Sequence, residues 1–236
     1  MNTQWTYLLI NFCVIIIPFI FSFHRKLRFY QHWKSTILAI CITALPFIFW
    51  DIYFTKIGVW GFNPDYFIGW KVYNLPIEEI LFFICIPYAC LFTYHCLKIL
   101  IPNPFKNYKQ INIILVMLSI IVIALNYNHL YPTVTFILLF FAIVVNGWFF
   151  KFEWLNNFYY SYCILLLPFF IVNGILTGTG IDKPVVWYNP EEIIGIRLIT
   201  IPFEDAFYGC LLIMINVALF EFFRQSKNKH ELFSIN

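Results

Sequence analysis

The stretch Asn74-Leu75-Pro76-Ile77-Glu78-Glu79-Ile80-Leu81-Phe82-Phe83 decides how this chain is read, because it recurs as Thr200-Ile201-Pro202-Phe203-Glu204-Asp205-Ala206-Phe207-Tyr208. Each copy sets a capping residue, a proline and two adjacent acids at the head of a long apolar run. Upstream, Asn63-Pro64 recurs as Asn189-Pro190, and the prolines of both motifs stand 126 residues apart. A chain built twice around paired carboxylates points to acid/base chemistry.

Outward from that repeat, composition sets the class. With 61% hydrophobic residues, 11% charged and a mean hydropathy of +0.77, the chain is no ordinary soluble domain. Its apolar runs suit bilayer spans of about 20 residues each. They lie at 5–23, 35–53, 76–97, 111–125, 131–149, 158–176 and 202–223, which predicts seven helices and an all-α integral membrane protein. Met1-Asn2-Thr3-Gln4 supplies no basic n-region, and no small-residue cleavage site follows the first run, so that run is expected to be retained. The seven cysteines are scattered through apolar runs without a Cys-x-x-Cys pair, so they read as small packing residues rather than a disulfide framework or a metal site.

Lysine and arginine set the expected threading. If the loop after the first helix is cytoplasmic, eleven of the fifteen share that side, including Arg25, Lys26, Lys106, Lys151, Lys227 and Lys229. Lys56, Lys71, Lys183 and Arg197 fall opposite. The N-terminus is then outside and the C-terminus cytoplasmic. The acids run the other way, with Glu153, Glu221 and Glu231 left inside, so the polar chemistry is expected near the outer leaflet.

Helices one to three and five to seven start on the same side, which makes the halves parallel, with helix four as the inverting linker. Pro46-Phe47 with Asp51 and Thr55 matches Pro168-Phe169 with Asn173 and Thr177 at an offset of 122. The expected division is 1–97 and 131–223 for the two repeats, 98–130 for the linker, and 224–236 for a short, disordered cytoplasmic tail. A parallel repeat implies an approximate two-fold axis along the membrane normal, with both acid pairs facing one central cavity at one depth.

Pro-x-Glu-Glu has a plain structural reading. Proline suits the first helical turn, and acids there gain about 0.3 to 1 kcal/mol from the helix dipole. Its duplication, each copy preceded by Asn-Pro and a tryptophan (Trp60, Trp187), argues for more. Adjacent acids lie about 100° apart around a helix and repel unless one is protonated or hydrogen-bonded. A carboxyl in a hydrophobic cavity can hold a proton at neutral pH while a wetter neighbour acts as base. Asp51 and Asn173 could orient them, or simply join helices.

Aromatics, 29 Phe, 15 Tyr and 8 Trp, belong mostly to interfacial belts and the core. A wall of Phe82, Phe83, Phe207, Tyr208, Trp60, Trp187 and Tyr188 beside buried acids could still stabilise a cation, by about 2 kcal/mol or more per desolvated contact. That combination suits carbocation chemistry on an isoprenoid. No Gly-x-Gly-x-x-Gly, Asp-x-x-x-Asp array or set of intramembrane histidines is present, so no cofactor or metal is expected. His24, His32, His95, His129 and His230 read as interfacial. A retinal protein is excluded because 202–223 contains no lysine.

These residues resemble the flavin-independent lycopene beta-cyclases of bacteria, archaea and fungi, found as two small membrane subunits or fused into one chain. The likeness rests on Trp50-Asp51, Gly58-Val59-Trp60-Gly61-Phe62-Asn63-Pro64, Leu75-Pro76-Ile77-Glu78-Glu79 with Phe82-Phe83, Asn146-Gly147-Trp148, Trp187-Tyr188-Asn189-Pro190 and Ile201-Pro202-Phe203-Glu204-Asp205. It implies a redox-neutral isomerisation in carotenoid biosynthesis, in which the linear ends of lycopene become β-ionone rings, giving γ-carotene and then β-carotene. It assigns acid and base roles among Glu78, Glu79, Glu204 and Asp205, without saying which does which. Expected substrate contacts are Asp51, Trp60, Asn63, Phe82, Phe83, Asn173, Trp187, Tyr188, Asn189, Phe207 and Tyr208. Expected partners are lycopene or a related acyclic carotenoid, membrane lipid and other carotenoid-pathway enzymes, with no nucleic acid, in a bacterial cytoplasmic membrane. The alternatives are a cyclase of one end or of another acyclic carotenoid, and a non-enzymatic proton-coupled isoprenoid carrier.

Overall fold

The computed structural model describes residues 3–101, 107–149 and 154–233. Lys106, Lys151 and Glu153, which entered the charge reading, lie outside them, as do the side chains of Lys227, Lys229, His230 and Glu231.

Among the described residues seven helices are long and apolar enough to cross a membrane. Their α-helical parts are α1 (Thr6–Phe21), α2 (Trp33–Ile57), α3 (Ile77–Leu100), α4 (Tyr108–Asn126), α5 (Leu130–Val144), α6 (Trp154–Leu176) and α7 (Phe203–Phe233), with α1 and α5 lengthened to Thr3–Phe21 and Leu130–Trp148 by adjoining 3-10 and π turns. The protein is an all-α membrane protein. Prolines sit inside α1, α2, α3 and α6 (Pro18, Pro46, Pro87 and Pro168), as membrane helices tolerate.

One boundary departs from expectation. The tail was expected to leave the helix at Phe223, yet α7 continues to Phe233. Residues 225–233 contain neither glycine nor proline to stop a helix, and the Arg224–Glu221 ion pair at i, i+3 supports the turn before them.

α3 and α7 form the middle of the bundle. α1 packs on α3, α5 on α7, and both α2 and α6 on α3 and α7, while α4 rests on α5. The facing stripes bury Phe83 and Leu91 on α3 and Leu212, Met214 and Phe220 on α7. Where the last turns of α3 meet the middle of α7, Glu221 is buried and accepts from Tyr94 Oη at 2.7 Å, Lys98 Nζ at 2.5 Å and an Arg224 guanidinium nitrogen at 2.7 Å.

At the N-terminal ends, each helix is entered through a short hairpin. β2 (Lys71–Val72) pairs with β3 (Leu75–Pro76) ahead of α3, and β5 (Arg197–Leu198) with β6 (Ile201–Pro202) ahead of α7. The registers are equivalent, Lys71 opposite Pro76 and Arg197 opposite Pro202. Each two-residue loop begins with a left-handed residue, Tyr73 (φ 56°) and Ile199 (φ 64°), as tight hairpins require. The first helical N–H bonds back in both copies, Ile77 to Trp70 and Phe203 to Ile196, each at 3.0 Å.

A ribbon joins the halves. β1 (Trp60–Phe62) pairs antiparallel with β4 (Val186–Tyr188), with Gly61 opposite Trp187. Those two residues are 126 apart, so the pairing is centred on equivalent positions. The flanking bonds are reciprocal: Asn63 N–H donates to Val185 O at 2.8 Å and Asn189 N–H to Val59 O at 2.9 Å. Equivalent residues meeting antiparallel mark an internal two-fold axis passing between them. The Trp187 indole occupies the space that a Cβ on Gly61 would take.

Candidate active site

The paired acids open α3 and α7, and helix geometry sends the members of each pair in different directions. Glu78 and Glu204 are fully buried and turn back to the incoming chain. Glu78 Oε1 accepts from the Ile68 N–H at 2.8 Å, and Glu204 Oε1 from the Ile194 N–H at 2.6 Å. Each ties a helix to the loop ten residues before it. Neither lines the central cavity, so the expectation that all four acids face one space is corrected.

Glu79 and Asp205 do face it. They line a cavity of about 930 Å³ together with Asp51. Tyr7 of α1 donates its hydroxyl to Glu79 Oε2. Tyr131, at the equivalent place on α5, donates to Asp205 Oδ1 at 2.7 Å, and Tyr188 of β4 donates to Oδ2 at 2.9 Å. Burial, and then the Asp205 carboxylate beside it, raise the Tyr188 hydroxyl well above the ordinary phenol range, so it remains a donor. Asp51 Oδ1 accepts from the Trp60 indole N–H at 2.5 Å. Its repeat counterpart, Asn173, also lines the cavity.

The two carboxyls have different surroundings. Asp205 sits in an aromatic box: Tyr131 and Tyr188 stack at 6.0 Å, and Trp60 meets Tyr131 edge-on at 5.1 Å. Tyr208 closes the box, 6.2 Å from Tyr131. Glu79 has a sparser setting, with Phe82 set edge-on to Tyr7 at 6.3 Å. The faces of these rings are electron-rich, and carbon walls exclude water, so a cation formed between the two carboxyls would be stabilised without hydration.

Of the other residues singled out from sequence, Trp60, Phe82, Tyr188 and Tyr208 line the cavity. Asn63 and Asn189 do not; their side chains accept from the N–H groups of Asp65 and Glu191, both at 3.1 Å, as loop caps. Phe83 is buried against Phe47, and Phe207 packs on Phe136 and Phe203. Trp187 covers Gly61 at the ribbon and is 45% exposed. These five positions lie outside the cavity lining; a loop asparagine or an aromatic near a helix end fits a cap or a core as well as a ligand. Tyr7, Tyr131 and Tyr162, all cavity-lining, were not anticipated. The signal was present: Tyr7 and Tyr131 are 124 residues apart, near the start of the first helix of each half.

The fold and site together define a seven-helix membrane protein with two repeat-related carboxyl–phenol pairs in one largely apolar chamber. The lycopene cyclase family profile matches residues 4–97 and 128–223, most of the chain. The chain belongs to the lycopene cyclase family. Curated relatives include bifunctional lycopene cyclase/phytoene synthases of Aspergillus oryzae, 32% identical over 62 residues covering 26% of this chain and 11% of the relative, and of Podospora anserina, 39% identical over 62 residues covering 26% and 10%. That of Aspergillus niger is 35% identical over 57 residues, 24% of this chain and 10% of the relative. The match thus spans about a tenth of the length of these relatives. No solved structure matches the chain.

Proposed function

We propose that this chain is a lycopene beta-cyclase that closes β-ionone rings by acid/base catalysis, with Glu79 and Asp205 as the reacting carboxyls. The observation that carries this reading is their equivalent placement in one apolar, aromatic-walled cavity, each held by a phenol from the first helix of its own half. One carboxyl gives a proton to C2 of the terminal double bond. The cation at C1 is captured by the C5–C6 double bond, forming the C1–C6 bond and moving the charge to C5. Loss of the C6 proton to the other carboxyl restores the double bond at C5–C6. One proton enters and one leaves, so the isomerisation needs no oxidant or reductant. An alkene is a weak base, so the aromatic box supplies much of the rate by stabilising the cation.

Glu78 and Glu204 act here as supports, and Asp51 and Asn173 as orienting groups at the chamber wall. The N-terminus is outside and the C-terminus cytoplasmic, which puts the hairpins and acids on the outer side. We take 1–97 and 131–223 as the functional repeats and 98–130 as their linker. Lycopene or a related acyclic carotenoid is the substrate. The relatives are fungal and lend no support to a bacterial membrane.

The test is pigment analysis of lycopene-producing cells expressing the chain. The unaltered chain is expected to yield cyclised carotenoid. Glu79→Gln and Asp205→Asn, which keep shape and remove the acid, are expected to leave lycopene at undiminished membrane levels, whereas Glu78→Gln retains an acceptor for Ile68 and still cyclises. Persistence of lycopene with the unaltered, membrane-inserted chain would defeat the proposal and favour another acyclic carotenoid or a carrier.

A further inference from the structure

The cavity is long, and its chemistry sits at one end. Its lining follows α3 from Glu79 to Thr93 and α1 from Tyr7 to Pro18, about 21 Å and 17 Å of helix at 1.5 Å per residue. The carboxyls and their phenols occupy the end near the hairpins. Farther along, the wall is largely aliphatic, with Ile10, Val14, Ile86 and Leu165.

The space also opens sideways. Three lining residues are mostly exposed on the outside of the bundle, Leu9 (57%) and Ile17 (62%) on α1 and Ile171 (60%) on α6. α1 rests on α3, and α6 on α3 and α7. The two outer helices therefore stand as the sides of a slot whose back wall is α3 and α7. All seven helices are apolar enough to cross a membrane, so the slot faces lipid.

The internal two-fold supplies a comparison within the same molecule. A second cavity, about 520 Å³, lies between α2, α5 and α7. Pro46 and Phe47 line it where Pro168 and Phe169 line the first, and Val134, Leu138 and Ala142 stand for Ile10, Val14 and Pro18. This is the same slot, built by the other pair of outer helices. It stops short of the acids: no carboxyl among the described residues lines it, and Trp50 and Phe47 meet Tyr208 edge-on at 5.0 and 5.3 Å. The counterpart of Trp50, at the offset of 122, is Val172, which lines the first cavity. One slot has a valine where the other has an indole.

We infer that an extended apolar chain reaches the carboxyls from the lipid through the slot between α1 and α6, lying along it with one end at Glu79 and Asp205, while Trp50 blocks the equivalent passage between α2 and α5. This rests on the cyclase reading for the identity of the chain. A substrate with two reactive ends then presents them in succession to one chamber: the half-cyclised molecule withdraws, turns and re-enters.

The closing experiment copies the plug into the open slot. Purified protein in lipid discs is given lycopene. Pigment retained on size-exclusion chromatography reads binding, and chromatography of the extract reads cyclisation. Val172→Trp is expected to lower both by about tenfold or more. Leu167→Trp puts the same bulk on the exposed face of α6 away from the cavity and is expected to stay within about twofold of the unaltered chain. If Val172→Trp does not elute as a folded species, Cys13→Trp narrows the same slot from α1 and carries the same expectation. A folded Val172→Trp that binds and cyclises like the unaltered chain overturns the inference. Lycopene retained by the unaltered chain, lost in Val172→Trp and never cyclised would sink the cyclase reading alone and leave the side entrance supported.

Discussion

Tyr7 and Tyr131 are equivalent in sequence and unequal in consequence. Tyr7 is the phenol that holds Glu79, whereas Asp205 keeps Tyr188 when Tyr131 is lost. A buried acceptor stripped of its donor costs about 1–3 kcal/mol. Tyr7→Phe is therefore expected to lower the initial cyclisation rate in membranes by roughly tenfold or more, and Tyr131→Phe by clearly less. The Tyr131→Phe, Tyr188→Phe pair should fall at least as far as Tyr7→Phe. Equal effects from the two single substitutions would show that the second phenol does not compensate. Ile199 poses a separate residue-scale question. A β-branched side chain at φ 64° is disfavoured by about 1–2 kcal/mol, and this one is 77% exposed, so little packing offsets it. Ile199→Asn, which tolerates that conformation, is expected to raise thermal stability by up to about 1 kcal/mol, read as a higher unfolding temperature in detergent.

Among the elements, α3 and α7 carry the two carboxyls proposed to react and hold them in line. Their acidic ends are held by hairpins and by Glu78 and Glu204, and the last turns of α3 are tied to the middle of α7 by the cluster around Glu221. Removing the carboxylate leaves Lys98 and Arg224 without their shared partner. Breaking a buried pair costs about 3–5 kcal/mol, and the partial exposure of both cations, 25% and 22%, brings the expectation below that range. Glu221→Leu should thus unfold several degrees earlier in detergent. An unchanged unfolding temperature would mean that the cluster adds nothing to the α3–α7 contact. The sequence carried these helices and their acids plainly, because proline, adjacent carboxylates and an apolar run mark a membrane helix start. It did not carry which acid faces inward. That depends on the rotation of each helix about its axis, which the loop bonds from Ile68 and Ile194 fix, and no local motif encodes it. The equivalence of Tyr7 and Tyr131 is hidden for a related reason: the repeat offset is 124 in the first helices, 122 in the second and 126 in the hairpins, so one fixed shift does not superpose them. The end of α7 is not marked in the sequence, because residues 225–233 turn polar without supplying a glycine or proline to stop the helix.

At the scale of the molecule, the halves are joined by more than the chain. The β1–β4 ribbon and the packing of α2 on α7 and α6 on α3 all cross between them. Two polypeptides, 1–101 and 107–236, made together in one membrane are expected to assemble and to cyclise lycopene, each alone being inactive. If both are present in the membrane and pigment analysis still finds only lycopene, the link around 102–106 is needed for more than tethering. The ribbon also fixes what that assembly can be made of. Its centre sets Gly61 against Trp187, and the indole fills the place of the missing side chain. Two copies of the first half would put glycine against glycine and leave a hole at the axis, and two copies of the second would drive one indole into another. Neither half can serve as its own mate. Whatever symmetry the duplication began with, the molecule has become a lock and its key, and a return to identical subunits would require changing both sides of the axis at once.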